Sequence, residues 1–134
     1  MVQQQSGIAM QSSFRNSIAW QKGMDLSQAV YLATRSFPKE EMFGLTNQLR
    51  RASVSIPSNI AEGKGRNSYG ELIQFLGIAR GSTVEVQTQL ELAIRLGFGK
   101  QPELEVAQGL AIEISKILNA SLATLRTRSA AKIK

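Results

Sequence analysis

The sequence predicts an all-α fold, an antiparallel up-down-up-down four-helix bundle. Apolar residues recur at spacings of three and four, and turn residues interrupt this pattern only near 36–38, 63–67 and 97–102. No segment shows the alternation of apolar and polar residues that is typical of a half-buried strand. Because short connections place consecutive helices antiparallel, four such helices should form one bundle. The length of 134 residues, 43% of them hydrophobic, suits a single domain with a real core.

The composition excludes several kinds of chemistry. The chain has neither cysteine nor histidine, which removes disulfides, cysteine–zinc clusters, thiol nucleophiles and Ser-His-Asp triads. No apolar run reaches the ~18 residues of a membrane span, and the amino terminus lacks a secretory pattern. We therefore expect a cytoplasmic protein that is not an enzyme, with no metal, cofactor or membrane partner.

Apolar periodicity, which begins near Asn16, and charge divide the chain into three parts. We predict a loose leader over 1–15, the bundle over 16–125 and a basic tail over 126–134. The net charge is +6, from 16 basic and 10 acidic residues, and Arg126, Arg128, Lys132 and Lys134 all lie in the acid-free tail. Residues 1–125 carry a net charge of only +2. We expect a frayed tail that either contacts phosphates of a nucleic acid or keeps the protein soluble.

The first helix should begin near Asn16 and end before Pro38. The residues expected to face the core, which we call the seam of the helix, are Ala19, Gly23, Leu26, Val30, Ala33 and Phe37. Trp20, Met24 and Tyr31 widen the apolar face beyond what the core of one bundle needs. This surplus predicts a homo-oligomer.

The second helix should begin at Pro38–Glu41, because proline followed by acids is typical of a helix amino terminus. Its seam is Leu45, Leu49, Ala52, Ile56 and Ile60. Pro57 lies inside it, removes one hydrogen bond and clashes with the carbonyl of Ser53, so we expect a kink. We expect the hydroxyls of Ser53 and Ser55 to satisfy freed backbone groups.

The third helix should span 67–96, since Ser68 and Glu71 have capping-box spacing. Its seam is Leu72, Leu76, Ala79, Thr83, Val86, Leu90, Ala93 and Gly97. Gly77 and Gly81 predict close approach of another helix, within or between subunits. The fourth helix begins at Pro102-Glu103 and carries Leu104, Ala107, Ala111, Ile114, Leu118, Leu122 and Leu125.

Several stretches also carry a resemblance. The most specific is Ser-Ile-Pro-Ser-Asn-Ile-Ala-Glu-Gly, which contains Ser55, Pro57, Asn59, Glu62 and Gly63. Together with 20–24, 36–41, 44–46, 48–52, 75–82 and 91–97, it makes residues 14–125 closely resemble the bacterial 23S rRNA-intervening-sequence protein family.

The resemblance carries implications for assembly and partners. The family looks related to the accessory variability determinants (Avd-like proteins) of diversity-generating retroelements. Those proteins are pentameric helical barrels that bind nucleic acid and a reverse transcriptase. The resemblance therefore implies a pentameric ring with a basic surface.

Three arginines on predicted helices are candidates for nucleic-acid contact. Arg50 and Arg51 are adjacent on the second helix, and Arg80 lies in the middle of the third. The planar guanidinium suits bidentate phosphate contact. The alternative is that these arginines pair with acids of the bundle or of another subunit, namely Glu62, Glu71 and Glu85.

The turn Gly-Lys-Gly-Arg at 63–66 supplies two further candidates. Lys64 and Arg66 precede the Ser68 cap, where exposed N–H groups and cations could hold a phosphate. It lacks the spacing of a Walker motif, and an ordinary carboxy-terminal cap is the alternative.

Asn59 and Glu62 lie one turn apart but have no partner for catalysis. Without histidine or a second clustered acid, no acid–base pair is evident. We expect them to hydrogen-bond across the bundle to Ser82 or Arg80, and so to satisfy polar groups near Pro57.

Two functions remain open. The first is a non-enzymatic, oligomeric nucleic-acid-binding accessory protein that supports a reverse transcriptase, in which five subunits sum to a charge of about +30 against DNA or RNA. The second is a protein–protein interaction scaffold encoded in an rRNA intervening sequence, without a nucleic-acid role. The weak basic balance of residues 16–125 favours the second, and the family resemblance favours the first.

Overall fold

The computed structural model describes residues 14–133. It contains four α-helices: α1 at Ile18–Thr34, α2 at Leu45–Lys64, α3 at Tyr69–Leu96 and α4 at Gln101–Ile133. A short 3-10 turn, Lys39–Glu41, lies between α1 and α2. The described residues contain no strand, which confirms the all-α prediction for them, and the first thirteen residues of the predicted leader lie outside them.

The four helices pack as a bundle in which each contacts two neighbours. Helix α1 packs against α2 and α4, and α3 packs against the same two helices from the opposite side. Within residues 14–133, the diagonal pairs make no close contact. Short connections reverse the chain direction after each helix, so neighbours are antiparallel, as the turn spacing predicts.

The predicted seams form the core. All seam residues of α1, all those of α2 and those of α4 from Leu104 to Leu122 are buried. On α3 the buried part runs from Leu76 to Ala93, while Leu72 and Gly97 at its ends are more exposed. The spacing of apolar residues therefore identified the buried face of every helix.

Side-chain caps begin two of the helices. The amide of Trp20 donates to Ser17 Oγ at 3.2 Å at the start of α1. The amide of Glu71 donates to Ser68 Oγ at 3.2 Å, and that hydroxyl lies 3.3 Å from Glu71 Oε1. Gly97 closes α3 in the left-handed conformation, with φ of 74°, which a residue with a Cβ adopts only with strain.

The predicted start of the second helix is wrong. Pro38 and the acids after it form the separate 3-10 turn, and α2 begins only at Leu45. Gly44 interrupts the helical conformation with a ψ of −118°. Glu41 then acts as a cap for the next element, because its Oε1 accepts from the Leu45 amide at 3.1 Å.

The predicted frayed tail is also corrected. Helix α4 does not end near residue 125 but continues to Ile133. After Pro102 its sequence contains no proline and one glycine, Gly109, and alanine, leucine, lysine and arginine in its last turns favour helix. Residues 126–133 therefore extend the bundle as a basic helix end.

Pro57 lies at the contact between α1 and α2. It is buried inside α2 and has no N–H to donate to the carbonyl of Ser53. The hydroxyl of Ser27, on α1, lies 3.0 Å from Ser53 O and 3.1 Å from Gly23 O. A Cβ on Gly23 would lie 3.3 Å from both Cβ and Cδ of Pro57, so the proline ring fills the space that a side chain at position 23 would need.

The group that satisfies this carbonyl differs from the one expected. The hydroxyl of Ser53 donates to Arg50 O at 2.9 Å, and that of Ser55 lies 2.9 Å from Ser82 Oγ. The prediction that Ser53 and Ser55 would satisfy the carbonyl freed by Pro57 is therefore wrong, because a hydroxyl from the neighbouring helix takes that position.

We expect Ser27→Ala to lower the free energy of unfolding by about 1–3 kcal/mol, because a buried carbonyl is left without its donor. In a Pro57→Ala background the amide of residue 57 can reach Ser53 O, so the same change should cost less than about 1 kcal/mol. Urea denaturation at fixed protein concentration measures both values. The control is the exposed Ser58→Ala, which should change stability by less than about 0.5 kcal/mol. If Ser27→Ala lowers the free energy of unfolding equally in both backgrounds, the hydrogen bond from Ser27 to Ser53 O does not replace the one that Pro57 removes.

Candidate nucleic-acid interface

The structure separates the predicted cations into two groups. Arg50, Arg51 and Arg80 lie along the sides of the bundle, on α2 and α3. The others lie at the end of the bundle where the α2–α3 turn meets the last turns of α4. We call this second group the basic end, and it consists of Lys64, Arg66, Arg126 and Arg128.

Two residues of the basic end share one cavity. Lys64 from α2 and Arg128 from α4 line a cavity of about 330 Å³, together with Ser121 and Thr124. Leucine and alanine side chains form the rest of its wall, and none of the described residues that line it is acidic. Two cations and two hydroxyls are a donor set that suits a phosphate group.

Arg66 is already paired with acidic side chains of its own chain. Its guanidinium lies 3.5 Å from Glu62 and 3.8 Å from Glu71, and 4.8 Å from the centre of the Phe75 ring. The amide of Gly65 donates to carbonyls of the preceding turn at 3.2 Å. The turn at 63–66 therefore has the geometry of an ordinary carboxy-terminal cap, and Arg66 contributes less free charge than Lys64.

Arg50 and Arg51 have different surroundings, because successive residues of a helix point about 100° apart. Arg50 Nε donates to Thr34 Oγ1 at 2.9 Å, and its guanidinium lies 4.7 Å from the centre of the Tyr31 ring. Arg51 instead lines a cavity of about 340 Å³ between α2 and α3, which Glu85 also lines. Arg50 thus connects α2 to α1, whereas Arg51 is exposed.

Asn59 and Glu62 both contact residues four positions away in the sequence. The amide of Asn59 donates to Ser55 O at 2.8 Å and to Ser55 Oγ at 2.9 Å. Contact with Ser82 therefore passes through Ser55 and is not direct, and Glu62 pairs with Arg66 and not with Arg80.

Two negative findings apply to residues 14–133. No group of three or more Asp or Glu side chains in this range is arranged to hold a metal ion. None of its helices has the length and apolar character needed to cross a membrane.

Sequence reasoning missed Ser121 and Thr124, and it did not bring Lys64 together with Arg128. A signal for the hydroxyls was present, because Ser121, Thr124 and Arg128 recur at i, i+3 and i+7 and so share one face of α4. The proximity of Lys64 depends on how α2 and α4 lie in the bundle, which no local pattern reveals.

Comparison with known proteins places this fold in a family. Residues 15–120 match the family model of the 23S rRNA-intervening sequence protein. The chain belongs to this family. Among solved structures, this family member is similar to a crystal structure from Bacteroides thetaiotaomicron VPI-5482, a protein of unknown function from the S23 ribosomal protein family. The TM-score is 0.71 at 25% sequence identity, over 78% of this chain and 98% of that one. No curated protein matches the chain.

For this family member we expect the two adjacent arginines to differ in their effect on stability. Arg50→Ala should lower the free energy of unfolding by about 1–2 kcal/mol, because it removes one hydrogen bond and one cation–π contact. Arg51→Ala is the matched control and should change it by less than about 0.5 kcal/mol. Thermal denaturation of both variants checks this, and equal effects would show that the contacts with Thr34 and Tyr31 contribute nothing.

Proposed function

We propose that the protein is a non-enzymatic, oligomeric nucleic-acid-binding accessory protein whose basic end contacts phosphates. The observation that carries the proposal is the cavity lined by Lys64, Arg128 and two hydroxyls, with no acid among its described lining residues. The ion pairs formed among residues 14–133 do not involve Lys64 or Arg128, so neither charge is neutralised by a carboxylate there. Both cations are available to an external anion.

The contact should be independent of base sequence. Phosphate contacts from lysine, arginine and hydroxyl groups position a protein on a nucleic acid but do not read its bases. The basic end offers such donors, without the cluster of Arg, Asn and Gln on one helix that base recognition uses. Affinity should therefore depend on phosphate neutralisation and fall with salt.

Self-association is part of this proposal. One subunit carries a net charge of only +6. In the pentameric ring that the retroelement accessory proteins suggest, the total would be about +30, enough to attract a polyanion over distances beyond one side chain. Support of a reverse transcriptase belongs to the same proposal and would use this ring as a platform.

A second candidate function is a scaffold for another protein, without a nucleic-acid role. The observation that favours it is exposed apolar surface, in particular the adjacent Met42 and Phe43 at 50% and 93% exposure. Surface of this kind is typical of protein–protein contact. The two functions differ in their response to salt and to removal of cations.

We expect the double variant Lys64→Ala, Arg128→Ala to bind DNA and RNA more weakly and with a shallower salt dependence. The slope of log K against log salt should fall by about one for each phosphate that the variant no longer neutralises. The matched control is Arg35→Ala with Arg95→Ala, which removes the same charge from exposed sites at the other end of the bundle. Gel-shift titrations against DNA, RNA and a hybrid duplex measure both.

Three further outcomes separate the hypotheses. Deleting residues 126–134 should remove most of the binding if the last turns of α4 carry it, whereas the pair Arg50→Ala, Arg51→Ala should then have little effect. Equal weakening in the control and the Lys64, Arg128 variant would show that only total charge matters. An absence of binding to every nucleic acid at low salt would overturn the proposal and leave the protein scaffold.

A further inference from the structure

One aromatic side chain is almost fully exposed. Phe43, in the turn that precedes α2, is 93% exposed, and its neighbour Met42 is 50% exposed. A single exposed leucine or valine is ordinary on a protein surface. A phenylalanine beside a methionine at a turn forms a larger apolar protrusion, which has the composition typical of an interface centre. We call this pair the knob.

A small apolar cavity lies on another side of the bundle. Ala29 and Leu32 of α1 and Pro102 and Val106 of α4 line it, and its volume is about 220 Å³. Cavities that bind drug-sized ligands measure roughly 300–1,000 Å³, so this one suits a single large side chain better than a small molecule. We call it the groove, and its one charged lining residue is Glu103.

The knob and the groove lie at the same end of the bundle. The loop after α1 and the loop after α3 meet there, since the rings of Phe37 and Phe98 lie 5.9 Å apart between centres. The groove opens between α1 and α4, whereas the knob precedes α2. At 93% exposure, Phe43 does not fill the groove of its own chain, so the groove is open to a side chain of another molecule.

One cation and one anion lie beside each of the two features. Lys39 and Glu40 precede the knob in the 3-10 turn, while Glu103 lines the groove and Lys100 lies just before it. None of these four side chains takes part in an ion pair within the described range. In a contact between two copies, Lys39 is free to pair with Glu103 and Glu40 with Lys100, and this pairing of opposite charges favours a second copy as the partner.

We infer that Phe43 of one copy inserts into the Ala29–Leu32–Pro102–Val106 groove of a second copy. The inference rests on the proposed oligomeric function and names the contact that builds the oligomer. Since different surfaces of the two copies meet, the contact is heterologous and repeats from subunit to subunit, closing into a ring if the rotation allows. Knob and groove lie at the same height, so the bundle axes run side by side.

Engineered disulfides test this contact, because the chain has no cysteine of its own. In the variant Met42→Cys, Glu103→Cys, which keeps Phe43 and the four apolar residues of the groove, mild oxidation should produce a ladder of covalent multimers, as each copy links to the next. A disulfide requires Cα atoms within about 7 Å, so the ladder reports the contact directly. The matched control is Met42→Cys with Val84→Cys, since Val84 on α3 is 52% exposed and lies away from the groove.

A second measurement covers failure of the cysteine variants to fold. Phe43→Ser changes an exposed position without altering charge, and should keep the helical circular dichroism while reducing the mass in light scattering to that of one 14.6 kDa chain. A ladder no stronger than that of the Val84 control, or an unchanged mass for Phe43→Ser, would overturn the inference. If the unmodified protein is itself a monomer, the oligomeric part of the proposed function fails as well; if it is an oligomer without this crosslink, only the contact fails.

Discussion

The contact of Pro57 with Gly23 and Ser27 is the interaction on which the arrangement of the helices depends. A proline inside a helix leaves one carbonyl without its donor, and here Ser27 from the adjacent helix lies 3.0 Å from it. Because a Cβ on Gly23 would lie 3.3 Å from the proline ring, a side chain at position 23 would disturb the packing of α1 on α2. The same packing places Arg50 against Thr34, and it leaves Lys64 at the opposite end of α2, facing α4.

Much of the fold could be predicted because helix burial is a local property. A residue that recurs every three or four positions lies on one face, so the seam from Ala19 to Phe37 and that of α2 were correctly assigned to the core. The capping of α3 by Ser68 also depends only on neighbours in sequence. Pro38 misled the prediction, since its chemistry suits a helix start but the chain turns once more before Leu45.

The parts of the candidate site that could not be predicted depend on contacts between helices. Ser27 and Ser53 are 26 residues apart, and Lys64 and Arg128 are further still. The same limit applies to the arginine pair, because sequence alone cannot show that Arg50 has a neighbour at Thr34 and Tyr31. Residues that looked equivalent as cations therefore separate into those that hold the bundle and those that remain available to a partner.

Two surfaces act together in the proposed function. The basic end contacts phosphates, and the knob-and-groove contact joins several copies of the chain, so that one assembly carries several basic ends. The central claim is that assembly increases the number of phosphates neutralised. The most direct measurement is fluorescence anisotropy of a labelled oligonucleotide across a salt series, for the unmodified protein and for dissociated Phe43→Ser, which has the same charge per chain. We predict a clearly steeper salt slope for the assembled protein. Equal slopes for the two, or a slope near zero for both, would contradict the claim.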